Sequence, residues 1–315
     1  MSVSRRDFIR TSVIAGAALG ASAALPIPSM AAGGKKRKPA KRVIIFTFDG
    51  IRVDGLQLAR TPNIDALIAN GSASFATRDV MPSVTLPNYT SHLLGAGPEV
   101  HGVTSNDWTV DKYDIPAVVR DEHGYFPSVF QVLKENVKGI KTAFYYDWKP
   151  LFNPYNPKYI DEAVCANHDE YGAQCDKAMK FIQANRKSPM FIFLYTVNTD
   201  HVGHTSKWMS PEYIKSIEEA DVQVGRVVDM LKSKGLYEDS HLMFISDHGG
   251  VGNGHGGVSE AEMIVPWVVE GPGIKKGFEI TEPNNTVNTA STVLSLFGVE
   301  QPLCWTGEVP QTIYE

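Results

Sequence analysis

Val43-Ile44-Ile45-Phe46-Thr47-Phe48-Asp49-Gly50 decides how the rest of the chain is read. Its first six residues are apolar except Thr47, without the alternation of a half-exposed strand, and the run stops at a carboxylate and a glycine. Such a run suits a strand buried on both faces of a parallel sheet. Two more segments share the design. Met190 to Val197 leads into Asn198-Thr199-Asp200, and His241 to Ile245 leads into Ser246-Asp247-His248-Gly249. Thr142 to Tyr146 and Val265 to Val269 are weaker strand candidates. Helical patterns lie between them. Ile214, Ile217, Asp221, Val224, Val228 and Leu231 follow the 3–4 spacing, and Lys232-Ser233-Lys234-Gly235 closes that helix with a basic turn and a glycine. Tyr171, Cys175, Ala178 and Ile182 mark a second, ending before Pro189. Thr61-Pro62-Asn63 opens a third, with Asp65 as an acid favoured by the first-turn dipole. Strand–helix alternation with buried runs predicts an α/β fold: a mostly parallel central sheet with helices on both faces.

Ligands of such sheets bind beyond the carboxyl ends of the strands. That edge would carry Asp49, Asp200, Asp247 and His248, so three of the most apolar segments each end in a metal-capable residue. Asp200-His201-Val202-Gly203-His204 places a carboxylate and an imidazole four residues apart. His255, in Gly254-His255-Gly256-Gly257, sits on a glycine-rich loop able to fold over the site. Nitrogen and carboxylate ligands without thiolate favour zinc, with manganese or another divalent ion as the fallback. Three carboxylates contribute three negative charges, so two divalent ions leave a net positive site and one leaves a negative site, a poor host for phosphate. Two ions are the usual arrangement for phosphoryl chemistry. His101, His123, His168, His201 and His241 read as ordinary surface or core imidazoles.

Thr85, in Ser83-Val84-Thr85-Leu86-Pro87-Asn88, is the candidate nucleophile. Pro87 and Asn88 are expected to start a short helix through Leu94. Thr85 then stands at a helix N-terminus, where the dipole and free N–H groups favour an anion. A hydroxyl is a weak nucleophile until a base or metal activates it.

The order of these motifs resembles the alkaline phosphatase superfamily, particularly its nucleotide pyrophosphatase/phosphodiesterase branch. The residues that carry the resemblance are Phe48-Asp49-Gly50, Thr61-Pro62-Asn63-Ile64-Asp65, Thr85-Leu86-Pro87-Asn88, His101 to Asn106, Asp200 with Gly203-His204, and Ser246-Asp247-His248-Gly249. The resemblance implies that Asp200, His204 and His255 hold one zinc and that Asp49, Asp247 and His248 hold the other, with Thr85 as metal-bound nucleophile. It also implies that Asn106 binds a non-bridging phosphate oxygen and that Tyr195 stacks on a nucleobase. Leu86 stands where nucleotide-cleaving members often carry an aromatic for the other side of the base.

The activity so implied is a zinc-dependent phosphoester hydrolase acting through a phosphothreonine. A diester is preferred because the 85–108 segment offers no Arg beside the nucleophile. The expected substrate is a small phosphoester, with a nucleotide among the candidates. The alternatives are a phosphomonoesterase of the same superfamily, a transferase, or a non-catalytic periplasmic module that binds metal and phosphate. A sulfatase is disfavoured because Thr85 does not sit in a Cys/Ser-x-Pro-x-Arg setting.

Composition sets the outer limits. The chain has 315 residues, of which 43% are hydrophobic and 21% charged, an ordinary globular balance. Three cysteines are too few for a disulfide scaffold, although Cys165 and Cys175 are close enough for a local bridge in an oxidising compartment. Ser4-Arg5-Arg6-Asp7-Phe8-Ile9-Arg10 is a twin-arginine pattern. A weakly apolar stretch from Thr11 to Leu25 follows, with a small-residue cleavage site near Ala31. Residues 1–31 are therefore expected to be an export signal, residues 32–42 a basic linker, and residues 43–315 the catalytic domain, periplasmic or secreted. The Thr11–Leu25 stretch is short of the ~20 residues a membrane span needs, so no stable membrane insertion is expected. The net charge of −5 conceals an uneven distribution. Residues 1–42 hold nine Lys and Arg and a single acid, Asp7, leaving 21 basic and 34 acidic residues in the remainder, a net −13. An acidic body argues against a nucleic-acid polymer as partner.

Overall fold

The computed structural model describes residues 38–168 and 170–315. The expected export signal and the linker up to residue 37 lie outside the described residues. Eight strands form one sheet: β1 (Arg42–Phe48), β2 (Gly71–Arg78), β3 (Lys141–Tyr146), β4 (Glu162–Cys165), β5 (Met190–Thr196), β6 (Ser240–Ile245), β7 (Ile264–Glu270) and β8 (Phe278–Glu279), in the order β4-β3-β5-β1-β6-β7-β2-β8. β1 lies at the centre, parallel to β5 on one side and β6 on the other. Every residue of β1, β5 and β6 is buried, as the uninterrupted apolar runs require.

The longer helices are α1 (Pro62–Asn70), α2 (Thr85–Leu94), α3 (Val129–Asn136), α4 (Tyr171–Ala184), α5 (Asn198–Ser206), α6 (Pro211–Ser233) and α7 (Asn288–Phe297). Successive strand side chains point to opposite faces, and β1 shows this directly. Val43 and Ile45 enter a core with Leu86, Tyr89 and Leu93 of α2, Phe130 of α3 and Val293 of α7. Ile44, Phe46 and Phe48 enter the other core, with Ile64 of α1, Ala178 and Ile182 of α4, and Ile217, Val224 and Leu231 of α6.

β7 is antiparallel to both β6 and β2. The reason lies in the connection. No long helix returns the chain to the amino edge between residues 245 and 264, so β7 starts at the edge where β6 ended. β2, Gly-Ser-Ala-Ser-Phe-Ala-Thr-Arg, lacks an apolar run and was not foreseen. Its small residues suit the close approach of the β7 backbone, since a Cβ on Gly71 would lie 2.3 Å from the Val269 carbonyl oxygen.

One boundary needs correction, and one pairing left open by the sequence is decided. The basic linker was bounded at residue 42, but Arg42 is the first residue of β1, and its guanidinium donates to the carbonyls of Arg186 and Leu236. Lys41 pairs with Asp239. Cys165 and Cys175 are not bridged. Cys175 is buried on the inner side of α4, whereas Cys165 is exposed at the end of β4.

Candidate metal centre and nucleophile

The carboxyl edge of the three central strands brings the expected ligands together. Asp49 follows β1, Asp247 and His248 follow β6, and Asp200 lies in the first turn of α5, which follows β5. Gly50, at φ +70°, lets the chain turn directly against Asp200; a Cβ there would lie 3.2 Å from the Asp200 backbone. His204 is one turn further along α5, and its Nε2 is 3.4 Å from Asp200 Oδ2. His255 arrives on the glycine-rich loop with Nε2 3.7 Å from Asp200 Oδ1.

Asp200, His204 and His255 form one group whose ligand atoms all lie within 4.8 Å of one another. Asp49, Asp200 and His248 form another that shares Asp200. Asp247 Oδ2 is 3.1 Å from His248 Nε2, and Asp49 Oδ1 is 3.5 Å from the same nitrogen. Thr85 is the first residue of α2, two residues earlier than the expected helix start. It is only 5% exposed, with Oγ1 3.2 Å from His248 Nε2.

The donor set fits divalent ions in two respects. Asp49 Oδ1, Asp200 Oδ1 and Asp247 Oδ2 are buried without a hydrogen-bond partner, a costly state for carboxylates that a cation would relieve. All three histidines are also oriented alike. Nδ1 of His204, His248 and His255 lies 2.8, 2.8 and 3.0 Å from the carbonyls of Asn253, Gly249 and Ser83. A carbonyl only accepts, so each Nδ1 carries the proton and each Nε2 presents its lone pair, the tautomer that ligates metal.

Electrostatics agree. Burial lowers the pKa of His248 to about 3 and that of His255 to about 4, keeping both neutral. Their rings stack with centroids 3.8 Å apart, which two imidazolium ions would resist. Burial raises Asp200 and Asp247 to about 6, and raises Asp49 well above the carboxylate range with help from the charges of Asp247 and Asp200. Without a cation, this cluster holds its carboxylates reluctantly.

Asn106 accepts the Leu86 N–H through Oδ1 at 2.8 Å, leaving its amide nitrogen as the end available to an anion. Pro87 has no N–H and that of Leu86 is taken, so the Thr85 N–H is the helix-end donor nearest the hydroxyl.

The two expected substrate contacts are placed otherwise. Tyr195 is 0% exposed, and its hydroxyl donates to Asp49 Oδ2, so no face of its ring is open to a base. The period-2 pattern of β5 turns it inward to the α2 core. The Leu86 side chain is likewise fully buried in that core, and only its backbone faces Asn106. Trp267 and Trp305, expected to be structural, are buried and bonded through Nε1 to Thr289 Oγ1 and the Pro127 carbonyl.

Several site residues escaped the sequence reading. Trp208 donates Nε1–H to the Gly50 carbonyl, and its ring stands edge-on to His204 at 5.0 Å. Gly203 is needed for this, because a Cβ there would meet the Trp208 ring at 2.6 Å. His92 of α2 donates Nε2–H to the Ser246 carbonyl, one residue before Asp247, and its Nδ1 bonds Thr289 Oγ1. No local spacing marks either residue.

The pattern of the type I phosphodiesterase / nucleotide pyrophosphatase family matches residues 43–261. The chain belongs to this family. Mouse ectonucleotide pyrophosphatase/phosphodiesterase family member 3 is 26% identical over 217 residues, covering 66% of this chain and 24% of that protein. An uncharacterized pyrophosphatase/phosphodiesterase of Schizosaccharomyces pombe is also 26% identical over 217 residues, covering 66% of this chain and 44% of that protein. The chain thus spans about a quarter to under half the length of these relatives. Among solved structures, an inactive threonine-to-alanine form of murine ectonucleotide pyrophosphatase/phosphodiesterase 5, in complex with AMP, superposes with a TM-score of 0.72 at 16% identity, covering 88% of this chain and 100% of that one. At that identity the likeness is one of fold. Among the described residues, no helix is long and apolar enough to cross a membrane.

Proposed function

We propose that this chain is an exported phosphoester hydrolase that prefers diesters, uses two divalent ions that are most simply zinc, and works through a phosphothreonine at Thr85. The observation that carries the reading is the convergence of Thr85 Oγ1 with three unpartnered buried carboxylate oxygens and three imidazoles whose Nε2 atoms face the same space.

Asp200, His204 and His255 would hold one ion; Asp49, Asp247 and His248 the other. Bound there, divalent ions supply the positive charge that favours the alkoxide and offsets the charge of the leaving oxygen. The chain does the positioning. The N-terminus of α2 directs Thr85 Oγ1 into the site and favours negative charge there. Attack by that oxygen on phosphorus forms the phosphothreonine and expels the leaving alcohol, and water then releases the phosphoryl group and restores the hydroxyl. Asn106 and the Thr85 N–H are placed to hold non-bridging oxygens, and phosphoryl transfer asks mainly for such positioning and charge stabilisation.

Diester preference follows from charge. Among the described residues, no Lys or Arg bonds or pairs with Asp49, Thr85, Asn106, Asp200, His204, Asp247, His248 or His255. A singly charged diester needs less compensation than a dianionic monoester. With Tyr195 and Leu86 buried, neither side chain supplies a base-stacking contact, so a nucleotide is one acceptable diester rather than a required one. The inactive threonine-to-alanine neighbour holding AMP is in keeping with a threonine nucleophile. Export is supported by the twin-arginine pattern at residues 4–10. Turnover of a nitrophenyl phosphodiester against the matching monoester tests the reading: the diester should be the better substrate, and turnover of the monoester alone would overturn the preference.

A further inference from the structure

Asp147 is the residue after β3 and is 2% exposed. Its Oδ1 accepts the Val197 N–H at 2.7 Å and its Oδ2 accepts the Thr196 hydroxyl at 2.9 Å. Thr196 Oγ1 in turn accepts the Asn198 N–H at 3.2 Å. These three residues enter α5, and Val197 at its N-cap has no side chain able to cap it. A helix start exposes N–H groups without intrahelical partners and carries partial positive charge, so a carboxylate there is favourable. β3 therefore supplies from a neighbouring strand what the sequence of α5 lacks.

The consequence for the site is directional. Asp200 and His204 ride on α5, and where they point depends on how the first turn is pinned. Asp49, Asp247 and His248 instead stand one to three residues beyond β1 and β6, close to backbone fixed by sheet pairing, whereas Asp200 and His204 stand four and eight residues beyond β5. We propose that Asp147 is a positioning residue: a helix cap donated by β3 that sets the orientation of α5 and holds Asp200 and His204 against His255. This rests on the reading of those three residues as holders of one ion. A second tether, Thr199 Oγ1 to the Asp49 carbonyl at 2.6 Å, keeps α5 docked without Asp147. Loss of the cap therefore loosens the helix rather than releasing it.

The test is a zinc titration of the full chain against a chromogenic chelator, with the melting temperature recorded on the same samples. Asp147→Ala should weaken one of the two zinc ions by about tenfold, the lower end of what outer partners of metal ligands contribute. The weakened ion should be the one that His204→Ala removes. Asp147→Asn, whose amide oxygen can still accept the Val197 N–H, should recover most of that affinity. If Asp147→Ala does not fold, Thr196→Val removes the hydroxyl relay at nearly constant volume and should show the same selective loss, but smaller. A lowered melting temperature with both zinc affinities unchanged, or equal weakening of both ions, would overturn the inference. A wild-type chain that binds no zinc would overturn the metal reading itself, and that result needs no variant.

Discussion

Replacing Asp79 with Asn isolates one electrostatic consequence of building a metal centre from buried carboxylates. Asp79 follows β2, is 3% exposed, and neither of its carboxylate oxygens has a hydrogen-bond partner. Burial, then the charges of Asp247 and Glu262, raise its pKa from 3.8 to about 8 against the pull of Arg78. The sign follows. Between about pH 4 and pH 8 the folded chain keeps a proton that the unfolded chain has lost, so stability falls as pH rises through that window and levels off above it. At about 1.4 kcal/mol per pH unit, the interval from 3.8 to about 8 corresponds to about 6 kcal/mol at most. Asparagine does not titrate there. Urea denaturation of chelator-treated wild type and Asp79→Asn from pH 4.5 to 9 should give a stability difference that grows in favour of Asn up to about pH 8 and is then constant. Other groups titrate in both proteins and cancel in the difference. Zinc should shrink it, because cations beside Asp247 oppose the negative charge that raises Asp79. A difference independent of pH would refute the reasoning.

Tyr195→Phe removes the donor to Asp49 Oδ2, and should lower turnover of nucleotide and nitrophenyl diesters alike, by a similar factor. A KM increase confined to nucleotides would mean that the ring stacks on a base after all. Gly203→Ala drives a Cβ into the Trp208 ring and should destabilise the fold by about 2 kcal/mol, read as a lower denaturation midpoint; an unchanged midpoint would refute that packing. Changing Arg5 and Arg6 together to Lys should leave the precursor in the cytoplasmic fraction of an expressing cell, and normal export would remove the twin-arginine assignment.

What the sequence disclosed, and what it hid, follows from how local each signal is. β1, β5 and β6 were legible because a strand buried on both faces must be apolar throughout, and the metal-capable residues at their ends were legible because the chain leaves the sheet there. His255 could be named as a candidate because it sits on a glycine-rich loop soon after the carboxyl end of β6. β2 escaped because it carries no apolar run and Gly71 answers to a tight approach of the β7 backbone rather than to a hydrophobic pattern. Tyr195 was misread because its distance in sequence from Asp200 says nothing about which face of β5 it occupies; the alternation along the strand points it to Asp49. Trp208, His92 and Asp147 act through bonds to Gly50, Ser246, and Val197 with Thr196, partners 49 or more residues away in sequence. No spacing rule reports such contacts.

The central claim is that Thr85 is the attacking group of a two-ion phosphoester hydrolase. It is tested most directly by measuring zinc content and nitrophenyl phosphodiester turnover on the same samples of wild type and Thr85→Ala. The account predicts close to two zinc ions per chain in both proteins, with turnover in the wild type and none above background in the variant. Undiminished turnover by Thr85→Ala at full zinc occupancy would contradict it.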